Sequence, residues 1–293
     1  MSLWDSSTPR RAFWGMKGGG RFTAVRQRGP EVREVDEHLY RTTVSPAAAQ
    51  ALDAARAVPR SYSVRAYASN DPTPRIVVAL GEAHVKLDRA SRLGKAVVEQ
   101  FELRGVESFQ TRTVLVGWLF GAMVKVPRNL LRTLSFGRIK QSTIDDAKRL
   151  PTGSTDQLER GHRVPAALHA ASIYCTVYFG VTFLGFVLDP FVLRYSTPFL
   201  SGWFSVVEAI QGLFLLHFPL LLPAWLLRDR PWSWLIHPAV GILTARDAMM
   251  AAGTRRMLDE HPQANSALVV FGQAHQPGFG DELVERFGFR RIV

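Results

Sequence analysis

Apolar positions follow two rhythms along this chain and, in its middle, form long unbroken runs. Residues 75–84 read Arg-Ile-Val-Val-Ala-Leu-Gly-Glu-Ala-His, and residues 267–275 read Ala-Leu-Val-Val-Phe-Gly-Gln-Ala-His. A short continuous apolar run thus leads twice into Gly-x-x-His. Runs of this length bounded by glycine predict buried strands leaving a sheet. If the two strands lie parallel, Glu82, His84 and His275 share one carboxyl edge, which is where open α/β sheets carry their sites.

The flanking segments fit the same grammar. Ser45 is a plausible N-cap for an alanine-rich helix through Ala57 that Pro59 ends; residues 61–68 alternate as a strand, and 69–74 form a turn. From Asp88 to Arg104, Leu93, Val97 and Phe101 recur at helical spacing, and Gly105 serves as the C′ stop. Strand, glycine-bearing loop and helix open a β-α-β unit. A further strand over 106–109 brings Glu107 to the edge of His84, although position alone also fits an exposed turn glutamate. Ser154 and Gln157 form a capping box for a short helix ending near His162. Thr244 caps a helix to about Glu260 with Arg246 and Asp247 in its first turn. An acid there faces the positive helix end, which accounts for Asp247 without any function; Arg246 has no such explanation. A loop over 272–280, a helix over 281–287 stopped by Gly288, and a strand over 289–293 close the chain.

The unbroken runs change the picture. Residues 164–188 hold no Asp, Glu, Lys or Arg, and 195–227 hold only Glu208. Each exceeds the ~20 residues that span a bilayer. Asp189-Pro190 and Ser196-Thr197-Pro198 separate them, so they predict a two-helix transmembrane hairpin; a large buried helical core is the other reading. Arg160 and Arg163 before the pair and Arg228 and Arg230 after it place both flanks in the cytoplasm, with Trp203, Trp225, Trp232 and Trp234 as interfacial anchors. The apolar stretch 113–124 is too short to span and suits a buried or interfacial helix.

The expected organisation is a disordered basic tail over 1–44, a first part of the α/β domain over 45–163, the hairpin over 164–227, and the second part of the domain over 228–293. The fold class is α/β, a sheet core with Gly-x-x-His loops at strand carboxyl ends and an inserted helical hairpin. The 293 residues are 47% hydrophobic and carry a formal net charge of +11. That charge suits nucleic acid or anionic lipid. Cations flanking apolar runs favour the lipid bilayer, and no zinc-finger spacing or other nucleic-acid module accompanies them. The first 33 residues, rich in Arg, Gly and Ser, lack the apolar core of a secretory signal. A single cysteine, Cys175, excludes an internal disulfide and a multi-cysteine metal site. The expected location is the cytoplasmic membrane, multi-pass, with the amino- and carboxyl-terminal portions in the cytoplasm. A paired hairpin also leaves room for a homodimer.

Two imidazoles with one or two carboxylates suit zinc, manganese or iron with a position open for water. In that reading His84, His275 and Glu107 are the metal ligands, Glu82 or Glu107 is the general base where it is not itself a ligand, and Arg246 holds a substrate carboxylate or a developing oxyanion. No nucleophile-elbow serine is present.

Leu-Gly-Glu-Ala-His-Val, a later Glu107, the Arg246-Asp247 pair and Val-Val-Phe-Gly-Gln-Ala-His-Gln-Pro-Gly together resemble the TraB/Tiki family, related to erythromycin-esterase-like and ChaN-like proteins. The resemblance covers about residues 75–112 and 240–293. It implies that two histidines, an intervening glutamate and an arginine form the active constellation, here His84, Glu107, Arg246 and His275. Glu82 stands where TraB and Tiki motifs usually carry threonine, and is closer to the esterase and ChaN side. Three functions follow: a membrane-anchored metal-dependent hydrolase of peptides or esters, a non-catalytic member that sequesters a peptide or small ligand, and a structural membrane protein.

Overall fold

The computed structural model describes residues 37–58, 62–83, 88–101, 103–107, 155–178, 198–228 and 232–292, with a few single positions besides. Six strands, β1 (Tyr62–Ala68), β2 (Ile76–Glu82), β3 (Arg104–Val106), β4 (Thr155–Gln157), β5 (Ser266–Gly272) and β6 (Arg290–Ile292), form one mixed sheet in the order β4-β3-β5-β2-β1-β6. β2 and β5 pair in parallel at its centre, and β3 and β4 continue the parallel half; β1 is antiparallel to β2 and β6. The α/β expectation holds at this level, and the two strands with the repeated pattern are direct neighbours.

Alternation along β2 builds a core on each face. Ile76, Val78 and Leu80 pack with residues of α1 (Glu37–Thr43), α2 (Pro46–Arg56) and α3 (Asp88–Glu99), such as Tyr40, Leu52 and Val97. Val77 and Ala79 pack on the opposite side with Met250 and Met257 of helix 241–260 and Phe279 and Leu283 of helix 276–287. A sheet sandwiched between helices explains why β2 is buried at every position.

Several boundaries differ from the sequence expectation. α1 lies within the expected basic tail, where Tyr40 and Val44 are buried in the core. α2 starts as expected, the Ser45 hydroxyl accepting from Ala48 N–H at 3.1 Å. α3 ends at Glu99, and Gly105 is a strand residue instead of a helix stop. A Cβ on Gly105 would meet Leu158 Cδ2 at 2.5 Å and Val269 Cγ1 at 3.0 Å, so close packing calls for glycine there. The stretch with the expected capping box is β4 at Thr155–Gln157, because pairing with β3 satisfies its backbone more completely than an isolated helical turn.

Between β4 and β5 the described chain is helical. α4 covers 166–178, α5 is Pro198–His217, α6 is Leu221–Leu226, α7 is Ser233–Ile236 and α8 is Gly241–Glu260. Ala167 and Leu168 of α4 pack on Ala245 and Met249 of α8. Among the described residues one stretch, Glu208–Leu226, is long and apolar enough to cross a membrane, with mean hydropathy 1.6 and 6% of it buried. Leu213, Leu216, Leu222 and Leu226 are exposed along it. Residues 181–197 lie outside the described residues, so the expected two-helix hairpin is reduced to this one candidate span; the apolar stretch 113–124 also lies outside, apart from isolated positions.

After β5 the chain makes a 3-10 turn over Gln273–His275 and enters α9 (Gln276–Phe287). The helix thus begins five residues before the expected Asp281, with Pro277 in its first turn, where a missing N–H costs nothing. Gly288 ends it at φ +71°, as the sequence suggests.

Candidate functional site at the carboxyl edge of the sheet

Parallel pairing brings the ends of β3, β5 and β2 side by side. Glu82 is the register partner of Gly272. Glu107 follows β3 directly: its N–H donates to Val270 O at 2.9 Å, and its Oε2 accepts from Gly272 N–H at 2.7 Å. Glu82 and Glu107 therefore flank Gly272, both buried. The two Gly-x-x-His motifs are staggered by one residue, since Gly81 stands opposite Phe271. Gly81 and Gly272 are strand residues, and the second motif runs on into the 3-10 turn Gln273–His275. By alternation from Leu80, Glu82 belongs to the face covered by α2 and α3. His84 lies outside the described residues.

Helix α8 supplies the other side of the edge. It starts at Gly241, so Thr244 is an interior residue whose hydroxyl donates to Val240 O at 3.4 Å. Arg246 and Asp247 sit in its second turn, and the expected helix-end explanation for Asp247 lapses. The Arg246 Nη2 lies 2.6 Å from Glu107 Oε1. Its Nε and Nη2 donate to the two oxygens of Glu159 at 2.6 and 3.1 Å, a bidentate pairing. Burial opposes the guanidinium charge, yet Glu107 and Glu159 outweigh it and raise the pKa of Arg246 above its ordinary value. The arginine joins the two glutamates from β3 and the turn after β4.

Asp247 points to the third element. Its Oδ1 lies 2.7 Å from His275 Nδ1, and both residues are buried. A carboxylate at Nδ1 accepts a proton held on that nitrogen and orients the ring. Nε2 stands 3.9 Å from Glu107 Oε1. Burial raises the Asp247 carboxyl, and the His275 bond works against that rise. Gly278 makes the approach feasible, because a Cβ there would collide with the Asp247 carboxylate.

The donor set can be weighed for a metal. Among the described residues, Glu107, Glu159 and Asp247 gather around Arg246 and His275, and Arg228 also acts on Asp247. A carboxylate behind an imidazole is also the usual support of a metal-ligating histidine. No group of three or more His, Cys, Asp or Glu suited to a metal occurs among the described residues. His275 Nε2 faces Glu107 Oε1 at 3.9 Å, and that same oxygen is ion-paired with Arg246 Nη2 at 2.6 Å.

Of the residues singled out in the sequence, Glu107, Arg246 and His275 converge directly, and Glu82 is next to them across Gly272. Glu159 and Asp247 were missed. Glu159 had no signal, being placed in a helix that does not form. Asp247 had one: a glycine three residues beyond His275, in a helix that has to approach something closely. Comparisons with protein families, curated proteins and solved structures find no match to this chain.

Proposed function

We propose that the chain is a membrane-anchored, metal-dependent hydrolase of peptide or ester bonds, with its active domain on the cytoplasmic side. The observation that carries this reading is the Asp247–His275 bond at the sheet edge, which orients the ring with Nε2 3.9 Å from Glu107 Oε1. The resemblance to the TraB/Tiki family, with its two histidines, glutamate and arginine, points the same way. His275 and Glu107 would hold the metal, and His84 would complete the set. Bound manganese, zinc or iron would supply Lewis acidity and lower the pKa of a water.

The protein's own groups then divide the work. Asp247 orients His275 and holds its proton on Nδ1. Arg246, bonded to both glutamates, is first a positioning residue for Glu107; turning part of its charge toward a substrate oxygen is the second role this reading gives it. Glu82, buried at the end of β2, is the candidate general base. The exposed apolar stretch Glu208–Leu226 is the support for membrane anchoring.

The test is metal analysis of detergent-purified protein followed by turnover of peptide and ester panels. Metal with turnover supports the hydrolase. Metal or ligand binding without turnover would favour the non-catalytic, sequestering alternative.

A further inference from the structure

A second convergence of ionisable side chains lies away from the sheet edge. Tyr174 of α4, His217 at the end of α5 and His237 in the link before α8 meet around one hydroxyl. Tyr174 Oη is 2.9 Å from His217 Nδ1 and 3.3 Å from His237 Nε2. The two imidazoles stack, with centroids 4.7 Å apart and planes 16° from parallel. The Tyr174 ring meets His237 edge-on at 4.9 Å. His237 is 2% exposed, and its Nδ1 has no hydrogen-bond partner.

Proton bookkeeping gives this group a direction. A phenol has one proton to donate, so it serves two imidazoles only by donating to one and accepting from the other. Orphaned N–H groups are rarer in protein interiors than underused acceptors. The arrangement that avoids one runs from His237 Nε2–H to Tyr174 and from Tyr174 O–H to His217 Nδ1. The remaining lone pair is His237 Nδ1, where a proton would create a buried cation against a second imidazole. Burial first, and then the adjacent His217, hold the His237 pKa below the ordinary histidine value, against a hydrogen bond with its own backbone that works the other way.

The neighbouring elements offer little compensation. α4 contributes Tyr174, with His169, Cys175 and Tyr178 on the same helix, while α6 and α7 contain no ionisable side chain. Glu208, the acid on α5, lies ~13 Å along the helix from His217 at 1.5 Å per residue. Arg228, stacked over the Trp225 ring at 4.9 Å, and Arg230 add positive charge to the α6–α7 link. Asp229 stands between these arginines in the sequence. No carboxylate among the described residues acts on His237.

The position of the group gives it leverage. His237 is followed by the 3-10 turn Pro238–Val240 and then by α8, which carries Arg246 and Asp247. We propose that Tyr174, His217 and His237 form a pH-sensitive latch, holding the end of α5 against the lead-in to α8 while His237 is neutral and releasing it when His237 takes a proton. The latch does not depend on what reaction, if any, the sheet edge performs.

The sign follows from linkage. A histidine whose folded pKa is depressed binds its proton better once released. The latch is therefore at full strength above the ordinary value of about 6.5, and it weakens as pH falls from there toward the depressed value.

Hydrogen exchange of the full chain in detergent tests this at about pH 7.5 and about pH 5.5, which bracket histidine titration, after correction for intrinsic exchange. Residues 237–250 should exchange faster at the lower pH. β2 and β5 should stay unchanged. His237→Gln should remove the pH dependence, and Tyr174→Phe should raise exchange at both pH values. Should His237→Gln fail to fold, His217→Gln, which removes the stacked ring, should move the transition to higher pH. Equal wild-type protection at both pH values would overturn the latch. So would a pH step that persists in His237→Gln, or an unmoved transition in His217→Gln.

Discussion

His275 Nδ1 lies 2.7 Å from Asp247 Oδ1, joining the turn after β5 to the second turn of α8. The bond orients His275 so that Nε2 stands 3.9 Å from Glu107 Oε1. Asp247→Ala should therefore lower metal affinity by roughly 10- to 100-fold, the usual effect of losing a carboxylate behind a ligating histidine. Metal titration with circular dichroism as a folding control checks this; unchanged affinity in a folded variant would remove Asp247 from the site.

Arg246 is the cation that Glu107 and Glu159 share. Arg246→Ala should cost about 3–5 kcal/mol of stability, because breaking a buried pair leaves uncompensated charge. Arg246→Lys should recover only part of this, since an ammonium cannot reproduce the bidentate fork. Denaturant unfolding measures both. Adding Glu159→Gln to Arg246→Ala should restore some stability, showing that the lost energy belongs to the pair.

Two glycines separate site effects from packing effects. In Gly278→Ala the new methyl meets the Asp247 carboxylate. Metal affinity should fall nearly as far as in Asp247→Ala. In Gly253→Ala the methyl meets the Leu158 backbone carbonyl instead. That variant should lose about 1–3 kcal/mol through overpacking and keep its metal affinity if it folds.

The exposed leucines of Glu208–Leu226 predict integral membrane association. Washing membranes with high salt should leave the protein in the pellet, and detergent should release it. Release by salt alone would show that basic patches, not the apolar helix, make the attachment.

The sequence reading succeeded where one local pattern settled the outcome. The apolar runs before Gly81 and Gly272 identified two central strands, and the Ser45 cap and Gly288 stop marked helix ends through their own chemistry. It failed where a partner distant in sequence decided. Gly105 looked like a helix stop, yet the packing of Leu158 and Val269 makes it a strand residue. Thr155–Gln157 looked helical until β3 offered it a pairing edge. Asp247 seemed to be explained by a helix end that proved to lie at Gly241. Glu159 became visible only when the fold carried it to Arg246.

The central claim is that the Asp247–His275 pair and Glu107 form part of a metal centre that His84 completes. Elemental analysis of the detergent-purified wild type beside the His84→Ala/His275→Ala double variant tests it most directly. Near-stoichiometric manganese, zinc or iron in the wild type, lost in the folded double variant, is the result expected. Wild-type protein that holds no metal even after reconstitution, or a double variant that retains it, would contradict the account.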